Sequence, residues 1–159
     1  MGSMDREKLY LQRAENELNL AKSLFRISDD ADLKDELELK PATTFYSNVI
    51  NACYYCVFYS AKAFLMKEGI KTEAPEEHRK TYEEFERCVS KGIIDVELLK
   101  IYKTISVRAD ELLGIFRTEK KKRGHFTYQK LPQANKIPAE ESLRNAEIFF
   151  KNIFLIIGD

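Results

Sequence analysis

The stretch PATTFYSNVINACYYCVFYSA, residues 41–61, holds no charged side chain, although one third of the whole chain is Asp, Glu, Lys or Arg. A core must therefore be built on it. Bounded by Lys40 and Lys62 and continued by KAFLMKEG to Gly69, it is read as one helix of roughly 28 residues and about 40 Å, at 1.5 Å per residue. Pro41 suits the first helical position, where its missing N–H would have no intrahelical partner. Gly69 suits the end, because glycine takes the left-handed conformation there without penalty. A membrane span of that length is possible, but Ser47, Asn48, Asn51, Ser60 and tyrosines 46, 54, 55 and 59 are too polar for a lipid-facing surface. A helix buried within a soluble protein is the better reading.

Two apolar stripes run along this helix. Phe45, Val49, Ala52, Cys53, Cys56, Ser60 and Phe64 form one, and Tyr46, Ile50, Tyr54, Val57, Ala61 and Leu65 the other. A helix apolar on two faces needs neighbours on two sides. The flanking sequence supplies them. Leu11, Ala14, Leu18, Ala21 and Phe25 recur at helical spacing in a first helix from Asp5 to about Ile27. The acidic run from Ser28 to Lys40 is expected to be a solvated loop holding at most a turn of helix. Pro75 opens a shorter helix with inner face Tyr82, Phe85 and Val89, closed by Gly92. Leu98, Tyr102, Ile105, Ala109, Leu112 and Phe116 mark a second long helix from Asp95 to about Lys122. Leu143, Ala146, Phe150, Ile153 and Ile157 mark a last one starting at Pro138. No strand-like alternation occurs. The expected fold is all-α, an antiparallel up-and-down bundle of four to five helices.

At 159 residues the chain suits one domain. Met1, Gly2 and Ser3, ahead of a second Met4, read as a cloning scar, leaving a single domain over 4–159. Lys plus Arg and Asp plus Glu are equal at 26 each, so net charge is silent about nucleic acid and only its distribution informs. Three cysteines without a secretory segment point to a reduced, cytoplasmic protein. Cys53 and Cys56 have C-x-x-C spacing but lie in mid-helix, with no second pair at zinc spacing, and read as small core residues. Glycine-rich phosphate loops, paired histidines and serine-nucleophile signatures are absent. An enzyme built from this chain is expected to use neither metal nor cofactor.

The second unusual stretch is RTEKKKRGHFTYQK, residues 117–130. Arg117, Lys120, Lys121, Lys122, Arg123 and Lys130 stand there against Glu119 alone, interleaved with His125, Phe126 and Tyr128. Cations to hold phosphate, aromatic faces to stack on bases and a titratable imidazole are what a single-stranded RNA or nucleotide site needs. The same composition also describes a solvated helix end whose lysines complement the helix dipole. His125 is suited to proton transfer. His78, at the start of a helix, suits a hydrogen bond to a neighbouring loop better than catalysis. Asn51 is an amide in the most apolar helix: it either bonds inside the core, fixing helix register, or reaches a cleft beside Tyr54 and Tyr55.

The run NACYYCVFYSAKAFLMKEGI, residues 51–70, resembles the HEPN family of small all-helical proteins. The first helix QRAENELNLAKSLF, the short helix with His78 and Phe85, the long helix with Arg108 and the last helix SLRNAEIFF agree with that pattern. The resemblance implies a homodimer in which an Arg-x(4–6)-His motif from each copy lines a shared cleft. It also implies that active members cleave RNA without metal, often as toxins paired with a nucleotidyltransferase-like antitoxin, and that others are non-catalytic binding modules or scaffolds. On this sequence Arg117 and His125, with Arg123 nearby, fall at the motif's place. Lys120, Lys121, Lys122, Tyr128, Asn51, Tyr54 and Tyr55 would line the RNA or nucleotide site. Seven residues separate Arg117 from His125, one more than the family's usual maximum.

Overall fold

A computed structural model describes residues 2–113 and 136–158. The described residues are all helical or loop, with six helices and no strand: α1 (Gly2–Asp29), α2 (Ala31–Glu36), α3 (Tyr46–Lys67), α4 (Glu77–Ser90), α5 (Val96–Leu113) and α6 (Lys136–Ile157). Side-chain pairs give the directions. Tyr10 meets Tyr59 and Phe25 meets Tyr46, so α1 runs antiparallel to α3. Tyr102 meets Phe149 and Arg108 meets Glu141, so α5 runs antiparallel to α6. Lys22 on Glu147 and Lys136 on Asp29 set α6 antiparallel to α1. The four long helices therefore form an up-and-down bundle, and α4 packs across α3 and α5 as an addition to it.

Helix α3 is the centre, covered mainly by α1 and α6 and on its remaining sides by α5 and α4. Both predicted stripes are buried from Tyr46 onward. By length and composition α3 would pass as a membrane span, but 83% of its most apolar window is already buried against its own neighbours. It is the core helix of the bundle. Phe64, Phe85, Tyr102 and Phe149, from four different helices, meet edge-on or tilted at ring-centroid distances of 5.4–5.9 Å, and all are essentially inaccessible. Burying each such side chain contributes on the order of 1.5–3 kcal/mol, so this junction of helices holds α4 to the bundle.

The start of α3 differs from expectation. It begins at Tyr46 rather than Pro41. The carbonyl of Pro41 is occupied by the ammonium of Lys34, a buried lysine on α2, at 2.9 Å. The amide of Phe45 donates to Ser28 Oγ at 2.7 Å. Residues 41–45 are thus tied back to α1 and α2, and the backbone groups a longer helix would need are engaged elsewhere. The two glycine stops behave as read: Gly69 and Gly92 take positive φ, and Ile70 N–H donates to Leu65 O while Ile93 N–H donates to Cys88 O. Both are Schellman closures, for which glycine carries no Cβ penalty.

Helix α4 starts at Glu77, two residues after Pro75, and its fully buried face is Thr81, Phe85 and Cys88. Tyr82 and Val89 are only half-buried, so the inner stripe is rotated from the predicted one, because Phe85 enters the aromatic junction and Thr81 turns inward to bond Thr72. Helix α6 begins at Lys136, with Pro138 inside its first turn, and adds Ala139, Ser142 and Phe149 to the predicted stripe. Cys53, Cys56 and Cys88 are buried free thiols. Burial pushes the Cys53 thiol up to about 12 and raises Cys56 as well, as expected for packing residues rather than nucleophiles.

Candidate functional site

Of the residues singled out from sequence, Arg117, Lys120, Lys121, Lys122, Arg123, His125 and Tyr128 lie outside the described residues. The helices that flank them do not. Arg108, on the last turns of α5, donates to Glu141 Oε2 at 2.8 Å and to Pro138 O and Ser142 Oγ at 3.4 Å, all three on the first turns of α6. One guanidinium thus joins a carboxylate, a hydroxyl and a backbone carbonyl of the first turns of α6, the carboxylate bond being charge-assisted. At the same end, Lys136 pairs with Asp29 at 2.6 Å, and the Tyr46 hydroxyl reaches Ser28 O at 3.4 Å. The last described residue before the basic stretch and the first one after it therefore belong to neighbouring helices. They share that end of the bundle with the acidic α1–α3 connection.

Asn51 is half-buried on α3 and is not the enclosed amide considered above. Tyr54 is fully buried, and its hydroxyl lies 2.7 Å from His78 Nδ1. It presents no face to a ligand. Tyr55, one residue on, is half-buried and packs edge-on against Tyr54 and His78.

His78 joins α4 to α3, and so bonds a helix rather than a loop. Its ring stacks on Phe58 at 4.2 Å and on Tyr54 at 5.6 Å. Burial, partly offset by the Glu77 carboxylate, holds its pKa below the usual imidazole value. Desolvation disfavours the charged form in such a place, so at neutral pH this is an uncharged ring clamped between aromatic faces. It serves packing, and Tyr54, whose own pKa burial raises, stays a protonated phenol beside it.

Below His78 lies a polar network that the sequence did not suggest. Lys62, in the uncharged-looking helix, is only 4% exposed. Its ammonium bonds the Glu77 carboxylate and, at 2.8 Å, the carbonyl of Thr72. Thr72 and Thr81 hydroxyls lie 2.6 Å apart, and Thr81 donates to Glu77 O. A buried charge persists only when paired and hydrogen-bonded; Glu77 at the start of α4 supplies the pairing and the Thr72 carbonyl, in the segment before it, the further bond. The available signal was an isolated Lys inside an apolar helical run, followed at its end by an acid-rich helix start.

Among the described residues no group of three or more His, Cys, Asp or Glu is arranged to hold a metal. No protein-family model matches the chain, and no curated protein is significantly similar to it.

Proposed function

We propose that this chain is a HEPN-type helical protein that binds RNA or a nucleotide through its basic segment, residues 117–130, acting as a cytoplasmic homodimer. The observation that supports the reading most is the Arg108 junction, which closes α5 onto α6. It gives the basic stretch two adjacent, rigid supports on a bundle of the helix order that the sequence resemblance implies. A binding segment carried on rigid elements is positioned more precisely than one on a free tail.

In this reading Lys120, Lys121 and Lys122 hold phosphates, and Tyr128 stacks on a base. Arg117, Arg123 and His125 carry metal-independent cleavage: His125 takes the proton of a ribose 2′-hydroxyl as it attacks the adjacent phosphorus, and the arginines stabilise the charge of the pentacovalent phosphate. The products are a 2′,3′-cyclic phosphate and a 5′-hydroxyl. With His78 packed between rings and uncharged, His125 is the histidine to test. The purified protein is incubated with total RNA in EDTA. Cleavage abolished by His125→Ala supports the nuclease, and intact RNA with the wild type removes catalysis from the reading. For binding, the affinity should fall with salt with a log–log slope of about −0.7 per phosphate held on a single strand; a flat response removes it.

The second reading is a non-catalytic interaction module whose basic segment docks on an acidic partner such as a nucleotidyltransferase-like antitoxin. The observation favouring it is the acidic connection at the same end of the bundle, Asp29 to Glu38, which Lys136 already engages through Asp29. In this reading the acidic connection competes with RNA for the basic segment. RNA affinity that rises when Asp32, Asp35 and Glu36 are neutralised would favour RNA as the true ligand.

A further inference from the structure

A different cluster of cations lies at the opposite part of the molecule from the Arg108 junction. Arg6, Tyr10 and Arg13 are spaced four and three residues apart on α1, which puts them on one face. That face meets the C-terminal half of α3 and the segment after it, enclosing a groove of about 260 Å³ lined by Arg6, Tyr10, Arg13, Lys62, Lys71 and Glu73. Four cations stand there against one carboxylate.

The cations are held in different ways. Arg13 lies over the rings of Tyr10 and Tyr59 at 5.4 and 5.8 Å, and those two rings stack on each other at 6.1 Å. Cation–π contact fixes the guanidinium plane while leaving its N–H donors at the edge. Lys62 is buried at the floor of the groove, with its Nζ 5.0 Å from the Tyr10 ring centroid. Its ammonium has three donors. The Glu77 carboxylate and the Thr72 carbonyl engage it, which leaves one donor without a hydrogen-bonding partner among the described residues. Among the described residues no ion pair engages Arg6, Arg13 or Lys71.

We propose that this groove is a phosphate site, taking inorganic phosphate or the phosphomonoester end of a small metabolite. The Arg13 guanidinium offers a fork to two phosphate oxygens, Lys71 and Arg6 close from the rim, and the third Lys62 donor meets a further oxygen from the floor. The volume supports a phosphate group over a whole ligand, since sites that enclose drug-sized molecules run to about 300–1,000 Å³. The net charge supports a dianion over a carboxylate: with Lys62 already paired to Glu77, Arg6, Arg13 and Lys71 stand against Glu73 alone at the lining. The site shares no residue with the basic segment of the proposed function and stands or falls separately from it.

The test is a titration of the full chain, labelled with nitrogen-15, with inorganic phosphate and in parallel with 5′-AMP, at constant ionic strength set with chloride. Saturable shifts of the amides of Lys71, Thr72 and Glu73 and of α1 around Tyr10 are expected. The Arg13→Gln, Lys71→Gln double variant should weaken binding by about tenfold or more, as expected for lost charge-assisted hydrogen bonds. Tighter binding of 5′-AMP identifies a phosphomonoester end, and equal binding identifies the free anion. Shifts that stay linear with ligand overturn the proposal. So does saturable binding that survives the double variant but is lost when Lys120, Lys121 and Lys122 are changed to Gln.

Discussion

Tyr54 and His78 are 24 residues apart in the chain, and the tyrosine hydroxyl lies 2.7 Å from His78 Nδ1. Together with the Lys62–Glu77 pair this bond is a polar link between the core helix α3 and α4, set within stacked rings of Phe58 and Tyr54. Changing Tyr54 to Phe removes the hydroxyl and leaves a half-buried ring nitrogen without its partner. The expected cost is about 1–2 kcal/mol. It should be read as a lower urea midpoint with an unchanged slope, and a wild-type midpoint would show that water replaces the bond at no loss.

The same imidazole makes stability depend on pH. Burial lowers the folded-state pKa of His78 below its unfolded value near 6.5. Between the two values the unfolded chain binds more protons, so stability rises with pH in that window. The contribution is complete above about pH 6.5 and is lost as pH falls toward the lowered folded value. Melting temperatures of wild type and His78→Gln should therefore diverge less at pH 5 than at pH 7.5. Carboxylates titrate in both proteins alike and cancel in the difference, so a constant gap across that range would contradict the assignment.

Tyr102 has the opposite character. Its ring is a fully buried member of the aromatic junction, yet its hydroxyl finds no hydrogen-bond partner among the described residues. A buried hydroxyl left unpaired costs about 1–3 kcal/mol. Tyr102→Phe keeps the ring and removes that cost, and the variant should be as stable as wild type or more stable by about 1 kcal/mol. A lower thermal midpoint would mean the hydroxyl is satisfied. By contrast Phe85→Ala, one ring away at 5.6 Å, should lose about 3–5 kcal/mol through the cavity it leaves.

Arg108 is the remaining long-range tie. Arg108→Met keeps the aliphatic stem but removes the donors to Glu141, Ser142 and the Pro138 carbonyl. With its side chain 26% exposed, the expected global cost is modest, about 1 kcal/mol. The larger effect should be local: faster amide hydrogen exchange in the first turns of α6, with protection around Phe149 and Ile153 retained. Uniform loss of protection along α6 would assign Arg108 to the core rather than to the junction.

Much of this architecture could be read from local pattern. The burial of Leu11, Ala14, Leu18 and Ala21 on α1 and of Leu98, Tyr102, Ile105 and Ala109 on α5 follows from helical periodicity, a property of residues three and four apart. Gly69 and Gly92 stop their helices for an equally local reason. The first residue of α3 is not legible in the same way, because Pro41 permits a helix start but does not require one; Lys34, seven residues earlier, binds its carbonyl.

What the sequence determined by itself is the helical scaffold, its order and the choice of the uncharged run, from Tyr46 onward, as the heart of the core. Helix propensity and amphipathic spacing depend only on near neighbours, and so does the placing of a basic stretch between the last two helices. What the tertiary structure decided are the encounters between distant residues. Tyr54, which composition offered to a cleft, is enclosed with His78. Lys62, at the edge of the uncharged run, is drawn inside by Glu77 and Thr72. Arg6 and Arg13, unremarkable on a charged helix face, become a cationic groove only once Lys62 and Lys71 are brought opposite them. The direction a side chain takes across a helix interface, and the charge it meets there, are set by the packing of the whole bundle around α3.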